Sequence, residues 1–431
     1  MDFSTLEVVS PKRTRAALNG WQGFFPYYAG YPVPFAQKIV SSAKLRSGAV
    51  ILDPWNGSGT TTFVAAEAGI SSIGYDLNPV MVVVARARTL PASEADALVP
   101  LARKIVELSQ DGGPPALATD ELLAWCDEPT ARAVRGIETT IRETLVGEKT
   151  LEGHPDLSLL AAIAATQYVA LFRVLRLLAA SLKTTNPTWL KKPKTAENKI
   201  RCAPHVIYDS FIFAAEEMSS ALMDRRTLLP SAPASTQILN RDSAAATELN
   251  ASIDFVLTSP PYCTRIDYAA STALELAVLQ YLRERNVPEL RSSMMGTTLA
   301  PKAGINIESQ WGATCQEFMK AVLEHPSKAS TGYYYRTHLD YFSKLSRSIQ
   351  SIGASLKTGG GAVLVVQDSY YKDIHNDLAQ IAIEMCVAGG LVLERRDDFA
   401  IARTMAGRHR HVKSYRATPT AVESVLCFSK H

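Results

Sequence analysis

The sequence predicts an α/β fold built on a mostly parallel sheet, and three observations carry that prediction. First, Ala49-Val50-Ile51-Leu52 is a short apolar run that leads through Asp53-Pro54-Trp55-Asn56 into Gly57-Ser58-Gly59, with a helix-forming stretch beyond. Second, Ser71-Ser72-Ile73-Gly74-Tyr75 repeats the strand signature one helix later and ends on Asp76, the spacing of a strand–helix–strand unit. Third, Ile253, Phe255, Val256 and Leu257 suit a strand buried on both faces, and the chain then stiffens abruptly at Ser259-Pro260-Pro261-Tyr262.

Composition narrows the class. A chain of 431 residues, 47% hydrophobic and 20% charged, suits a large globular core in two or three domains. No uncharged apolar run reaches the ~18 residues of a membrane span, so none is expected. The opening residues lack the apolar core of a signal peptide. Cys126, Cys202, Cys263, Cys315, Cys386 and Cys427 are scattered and form no Cys-x-x-Cys, which argues against a zinc site and a disulfide framework and fits a reducing, cytoplasmic setting. Net charge is only +3, so a nucleic-acid partner would be met by local basic patches.

In chain order, residues 1–22 read as a polar N-terminal tail. The segment Trp21–Phe35 is too rich in Pro and Gly for a regular element and too aromatic for a solvated loop; it covers a cofactor or plugs the core. Phe35–Leu45 is helical. At the glycine turn, Gly57 and Gly59 permit left-handed backbone and close approach, and the helix from Thr61 to Ala68 turns its N-terminus toward an anionic group. Asp76 lies where an acid that binds a ribose belongs, and it also suits an N-cap ahead of Asn78-Pro79. No Gly-Lys-Ser/Thr follows, which excludes a Walker loop, and no full Gly-x-Gly-x-x-Gly, which disfavours NAD.

Residues 91–235 break the rhythm and read as a helical insert. Its first part is acidic. Leu157–Leu182 is a long apolar helix, expected in a core because Gln167, Arg173 and Arg176 fall inside it. From Arg173 to Arg201 basic residues dominate. Lys183, Lys191, Lys192 and Lys194 surround Trp189, a pattern that suits a nucleic-acid backbone beside a stacking ring, or equally a solvated loop. His205–Arg226 is helical. Thr236–Ser243 is a third strand with a polar end, where Asp242 and Ser243 reach an adenine ring or cap the next turn.

The Ser-Pro-Pro-Tyr corner suits a particular chemistry. Neither proline donates a backbone N–H, and each restricts its predecessor. The Ser259 hydroxyl and Pro260 carbonyl are therefore held at the carboxyl end of a strand, where open α/β sheets bind ligands. A nucleobase amino group is a poor nucleophile and needs such acceptors; Tyr262 could stack on a base taken out of the duplex. An ordinary strand end is the alternative. A helix follows at Ala273–Arg283, then an irregular stretch at 284–332, a helix at Tyr333–Leu356, a turn at Lys357–Gly361, a strand at Ala362–Val366, a helix at Ile374–Val387, and strands at Leu391–Arg395 and Ser424–Phe428. Between the last two lies a basic segment with Arg408 and Arg410.

These motifs resemble the S-adenosylmethionine-dependent DNA amino-methyltransferases, over roughly residues 23–90 and 236–430. Asp53–Thr61 looks like their cofactor loop, Phe25–Pro32 like the segment that precedes it, and Thr258–Tyr262 like their catalytic motif. The Ser-Pro-Pro-Tyr form is similar to the N4-cytosine branch; the N6-adenine branch more often has Asp or Asn at position 259. The resemblance implies a Rossmann-like methyltransferase fold with a seven-stranded, mostly parallel sheet, helices on both faces and a helical insert. It implies a cofactor-binding part at 23–90, a candidate DNA-recognition region at 91–235 and a catalytic part at 236–431. Cofactor contacts are expected from Tyr28, Asp53, Trp55, Gly57, Ser58, Gly59, Thr60, Asp76, Leu77, Asp242 and Ser243. Catalysis is expected from Ser259, Pro260, Pro261 and Tyr262, without a metal. Double-stranded DNA is the implied partner, met by Lys183, Trp189, Lys191, Lys192, Lys194, Arg265, Arg408 and Arg410, with a cognate restriction endonuclease as a further partner. N6-adenine methylation and a cofactor-binding protein without turnover are the rival readings.

Overall fold

The computed structural model describes residues 1–12, 20–27, 29–110, 118–146, 157–184, 189–225, 235–264, 266–299, 304–401 and 421–431. The first unit runs α1 (Val33–Ser42), β1 (Val50–Asp53), α2 (Thr60–Glu67), β2 (Ser71–Tyr75), α3 (Pro79–Arg88). Four long helices follow: α4 (Leu98–Gln110), α5 (Glu128–Ile141), α6 (Ala162–Leu178) and α7 (Pro204–Met223). The chain then returns to the sheet with β3 (Thr236–Leu239) and β4 (Ile253–Thr258). Beyond β4 come α8 (Tyr268–Ser271), α9 (Ala273–Val278), α10 (Val287–Ser293), α11 (Ala313–Glu324) and α12 (Tyr335–Ser355). The last part holds β5 (Leu356–Gln367), a small ribbon of β6 (Ser369–Tyr371) and β7 (Ile374–Asn376), α13 (Leu378–Ala388), β8 (Val392–Ile401) and β9 (Ala421–Ser429).

The central sheet has seven strands in the order β3-β2-β1-β4-β5-β9-β8. Strands β3, β2, β1, β4 and β5 are parallel to their neighbours, whereas β9 runs antiparallel to both β5 and β8. From β1 the chain winds outward through β2 to β3, then crosses back to place β4 on the other side of β1. The β1–β4 edge is therefore the switch point where such sheets open a crevice.

Period-2 alternation fills both faces. Ile51, Phe255, Leu257, Val363, Val365 and Val425 join one buried cluster with α1–α3 and the four long helices. Leu52, Val256, Leu364, Val366 and Leu426 join the other with α11–α13. The helices of 91–235 thus extend the core of one sheet face. Within them, Ala162–Leu182 is long and apolar enough to cross a membrane by length and composition, but 67% of it is buried inside the protein. Gln167 donates to the Leu98 carbonyl, and Arg176 pairs with Glu275 on α9.

Three expectations are corrected here. The stretch 284–332 is not irregular throughout: it carries α10 and α11. A capping box between Asn286 and Glu289 starts α10, and Cys315, Phe318, Met319 and Val322 form the buried stripe of α11. Lys357–Gly361 lies within β5 rather than in a free turn, with the register shifting opposite Ile253/Phe255. The opening residues do not project as a polar tail: Phe3 and Leu6 are buried, and Arg395 of β8 donates to both their carbonyls.

Candidate active site

The loop after β1 is built for close approach. Gly57 and Gly59 have φ of +50° and +81°, a region that costs any residue with a Cβ. A Cβ on Gly59 would stand 2.8 Å from the Ala85 Cβ and 3.0 Å from its Cα on α3. Ser58 and Thr60 are buried and Trp55 is half-buried. Asn56 is buried too; its backbone N–H reaches the Tyr75 carbonyl at 2.9 Å and its side-chain carbonyl accepts from Thr62, while its Nδ2 has no partner among the described residues. Asp76 accepts from the Gly57 N–H (2.9 Å) and the Asn78 N–H (2.7 Å), so it clamps the turn to the start of α3. Burial outweighs those two bonds and pushes its carboxyl up to about 7.

Asp53 ties this turn to the proline corner. Its buried carboxylate accepts from the Thr258 hydroxyl (2.5 Å), the Thr61 hydroxyl (2.6 Å) and the Trp55 N–H (3.1 Å), with the Tyr31 hydroxyl at 3.5 Å. Burial is again the largest influence and raises its pKa to about 6 despite those donors. Thr61 and Tyr31 also reach the Leu257 carbonyl, each at 3.1 Å. Leu52 pairs with Val256 across β1 and β4, so the two loops leave neighbouring parallel strands at the same end.

In the corner, Pro260 is buried and Ser259, Pro261 and Tyr262 are half-buried. Tyr341 of α12 donates to the Pro261 carbonyl at 2.7 Å. The Tyr262 hydroxyl donates to Glu423 of β9 at 2.6 Å, and the Ser259 side chain is near enough to influence the phenol. Burial pushes the phenol of Tyr268 on α8 well above its usual range, with Asp76 adding to the rise and the Tyr262 backbone opposing it.

Leu77 and Asp242 line one cleft with Pro79, Asn240, Arg283, Arg285 and Leu290. Asn240 holds its floor by donating to the carbonyls of Asp76 and Leu77. Asp242 caps the turn that follows it through the Ala244 N–H. Ser243 is placed differently: its hydroxyl pairs with Ser348 of α12 at 2.6 Å.

The expected DNA contacts that fall among the described residues lie within one short stretch. Lys183, Lys191, Lys192 and Lys194 are exposed around a short antiparallel bridge between Lys183 and Leu190. Trp189 is half-buried, and its indole N–H has no partner among the described residues. Tyr28, Arg265, Arg408 and Arg410 lie outside the described residues.

Sequence reasoning did not single out Thr258, Thr61, Tyr31, Tyr268, Glu423 or the Arg283–Leu290 wall. Thr258 and Thr61 had a local signal, since each lies inside a motif. Glu423 had none, because its partner lies 161 residues away.

Comparison with known proteins supports the same family. A DNA methylase family model matches residues 6–86. The Type II methyltransferase M.BsoBI of Geobacillus stearothermophilus is 25% identical over 301 residues, covering 64% of this chain and 56% of that protein. The Type II methyltransferases M.AvaI of a Nostoc species and of Anabaena variabilis are each 47% identical over 49 residues, 11% of this chain and 10% of theirs. The chain thus spans little more than half the length of the longest-matching of these relatives. The matches support the N6/N4 DNA amino-methyltransferases and do not separate the two branches.

Proposed function

We propose that the protein transfers a methyl group from S-adenosylmethionine to the N4 amino group of cytosine in double-stranded DNA. The observation that carries this reading is the staple at Asp53, which holds a glycine turn beside a Ser-Pro-Pro-Tyr corner at the switch point of the sheet. The cradle fits the cofactor: the backbone at Gly57 and Gly59 admits no Cβ without strain, and Leu77, Pro79 and Leu290 offer apolar walls beside Asp242 for an adenine. Gly57, Ser58, Gly59 and Thr60 would hold the methionine end, and Asp76 the ribose. When bound, the cofactor supplies an electrophilic methyl on a sulfonium.

The chain's own part is orientation. The Ser259 hydroxyl and Pro260 carbonyl accept hydrogen bonds from the amino group and favour the pyramidal nitrogen. Tyr262 offers its ring to a flipped base. Such positioning is worth up to ~7–11 kcal/mol for well-aligned reactants. The exposed lysines near Trp189 supply sequence-independent contacts to phosphates. A Type II partner nuclease would be protected against by the same mark. Ser259, where the adenine branch more often has Asp or Asn, favours cytosine. The test is transfer of labelled methyl from S-adenosylmethionine to plasmid DNA, followed by nucleoside mass spectrometry. N4-methylcytosine is expected; N6-methyladenine would reassign the base, and no label would remove the activity.

A further inference from the structure

We propose that Ser259, Tyr262 and Glu423 form a directed proton path out of the transfer site, with Glu423 as its terminal acceptor. The inference rests on the methyl-transfer reading above. Its starting point is the direction of the hydrogen bonds. Tyr262 gives its single hydroxyl proton to a Glu423 carboxylate oxygen at 2.6 Å, so toward the neighbouring Ser259 hydroxyl its oxygen can only accept. Each oxygen along the line therefore already points its proton away from the corner, and Ser259 keeps lone pairs free for an incoming N–H.

The chemistry needs such an exit. When the amino nitrogen takes the methyl, an N–C bond forms, the sulfonium S–C bond breaks, and the product nitrogen is left cationic with one proton too many. That proton passes to the Ser259 oxygen. The Ser259 proton moves to the Tyr262 oxygen, and the Tyr262 proton moves to Glu423. The base ends neutral, Ser259 and Tyr262 end as they began, and Glu423 ends as a neutral acid. Two features suit Glu423 to this. It is 7% exposed, so burial holds its carboxyl above the usual carboxylate range. Tyr262 and, from the N-terminal segment, Lys12 are the groups that counter that rise. Its cross-strand neighbours, Gln367 on β5 and Phe399 on β8, do not titrate.

Glu423 acts through Tyr262, so its test must separate proton transfer from support. Single-turnover methyl transfer to plasmid DNA is measured from about pH 5 to about pH 8 for wild type, Glu423→Gln and Tyr262→Phe, alongside S-adenosylmethionine affinity by calorimetry. The wild-type rate should fall on the acid side as Glu423 takes a proton. Glu423→Gln should bind cofactor as wild type does, lose on the order of 10²-fold in rate, and lose that acid limb. Tyr262→Phe keeps the stacking ring but cuts the path, and should show the same flat profile; it decides the matter if Glu423→Gln fails to fold. Retention of the wild-type rate and acid limb by either folded variant would overturn the path while leaving methyl transfer intact. A wild type that labels no DNA would remove both.

Discussion

The glycine turn after β1 and the proline corner after β4 leave adjacent parallel strands at the same end, yet they are made from opposite materials. The turn works by having no side chains: positive φ at Gly57 and Gly59 brings bare backbone forward. The corner works by having stiff backbone and useful side chains: two prolines restrict the chain that carries a hydroxyl and a ring. One surface suits seating a ligand, the other acting on a second one. Asp53 joins them, with Trp55 and Thr61 on one side and Thr258 on the other. A change in the corner should therefore cost rate, and a change in the turn should cost binding.

Ser259→Ala is the sharpest break and carries the largest expected effect. Turnover should fall by on the order of 10²–10⁴-fold, while S-adenosylmethionine binding stays at the wild-type level. If rate and binding both survive, Ser259 has no part in the chemistry. Next in size is Arg135→Ala on α5. Arg135 is buried, pairs with Asp120 and Glu138, and donates to the Ala277 and Val278 carbonyls of α9, the helix that follows the corner. Removing it takes a buried cation from Asp120 and from Glu138, of which Glu138 keeps Arg142 and Tyr168, a loss of about 3–5 kcal/mol by denaturant unfolding. Because the lost tie runs to α9, label transfer should suffer more than cofactor affinity in whatever fraction stays folded.

The glycine turn predicts a graded pair. Gly59→Ala sets a Cβ against the Ala85 backbone at left-handed φ, and α3 cannot retreat. About 2–3 kcal/mol of stability and at least roughly tenfold in cofactor affinity should be lost. Gly57→Ala meets only the ring end of Tyr27, which can swing aside, so about 1–2 kcal/mol is expected. Equal losses at both positions would mean that φ alone, and not contact with α3, sets the shape of the turn.

Turn and corner were both readable in advance because each is dictated locally. Glycine spacing and consecutive prolines restrict backbone whatever surrounds them, and β1, β2 and β4 follow from short apolar runs. What escaped depends on distant partners. The Tyr262–Glu423 bond joins residues that only β9, inserted antiparallel beside β5, brings together. The pairing of the Ser243 hydroxyl with Ser348 likewise needs α12, 105 residues away. Phe3 and Leu6 sit in a stretch with little apolar periodicity and are buried only because the sheet edge receives them. The helix α11 is a different case: its stripe of Cys315, Phe318, Met319 and Val322 was there to be read, but it is short and preceded by a Gly-containing loop.

A dependence on pH separates the two acids that serve the turn. Asp53 and Asp76 have folded pKa values of about 6 and about 7, above the ~3.9 of an unfolded chain. A raised acid binds more protons folded than unfolded, so stability should decline as pH rises from about 4 through those values. Asp53→Asn should flatten the lower part of that decline, because the amide keeps an oxygen for Thr258 or Thr61 and carries no charge to desolvate. Asp76→Asn should flatten the upper part instead, and should also loosen the turn, since Asp76 bonds the Gly57 N–H. Urea unfolding of the ligand-free protein at three or four pH values distinguishes the two. A wild type whose stability climbs over this range would show that the donors around Asp53 and Asp76 outweigh burial, and the turn would then be held by charge rather than in spite of it.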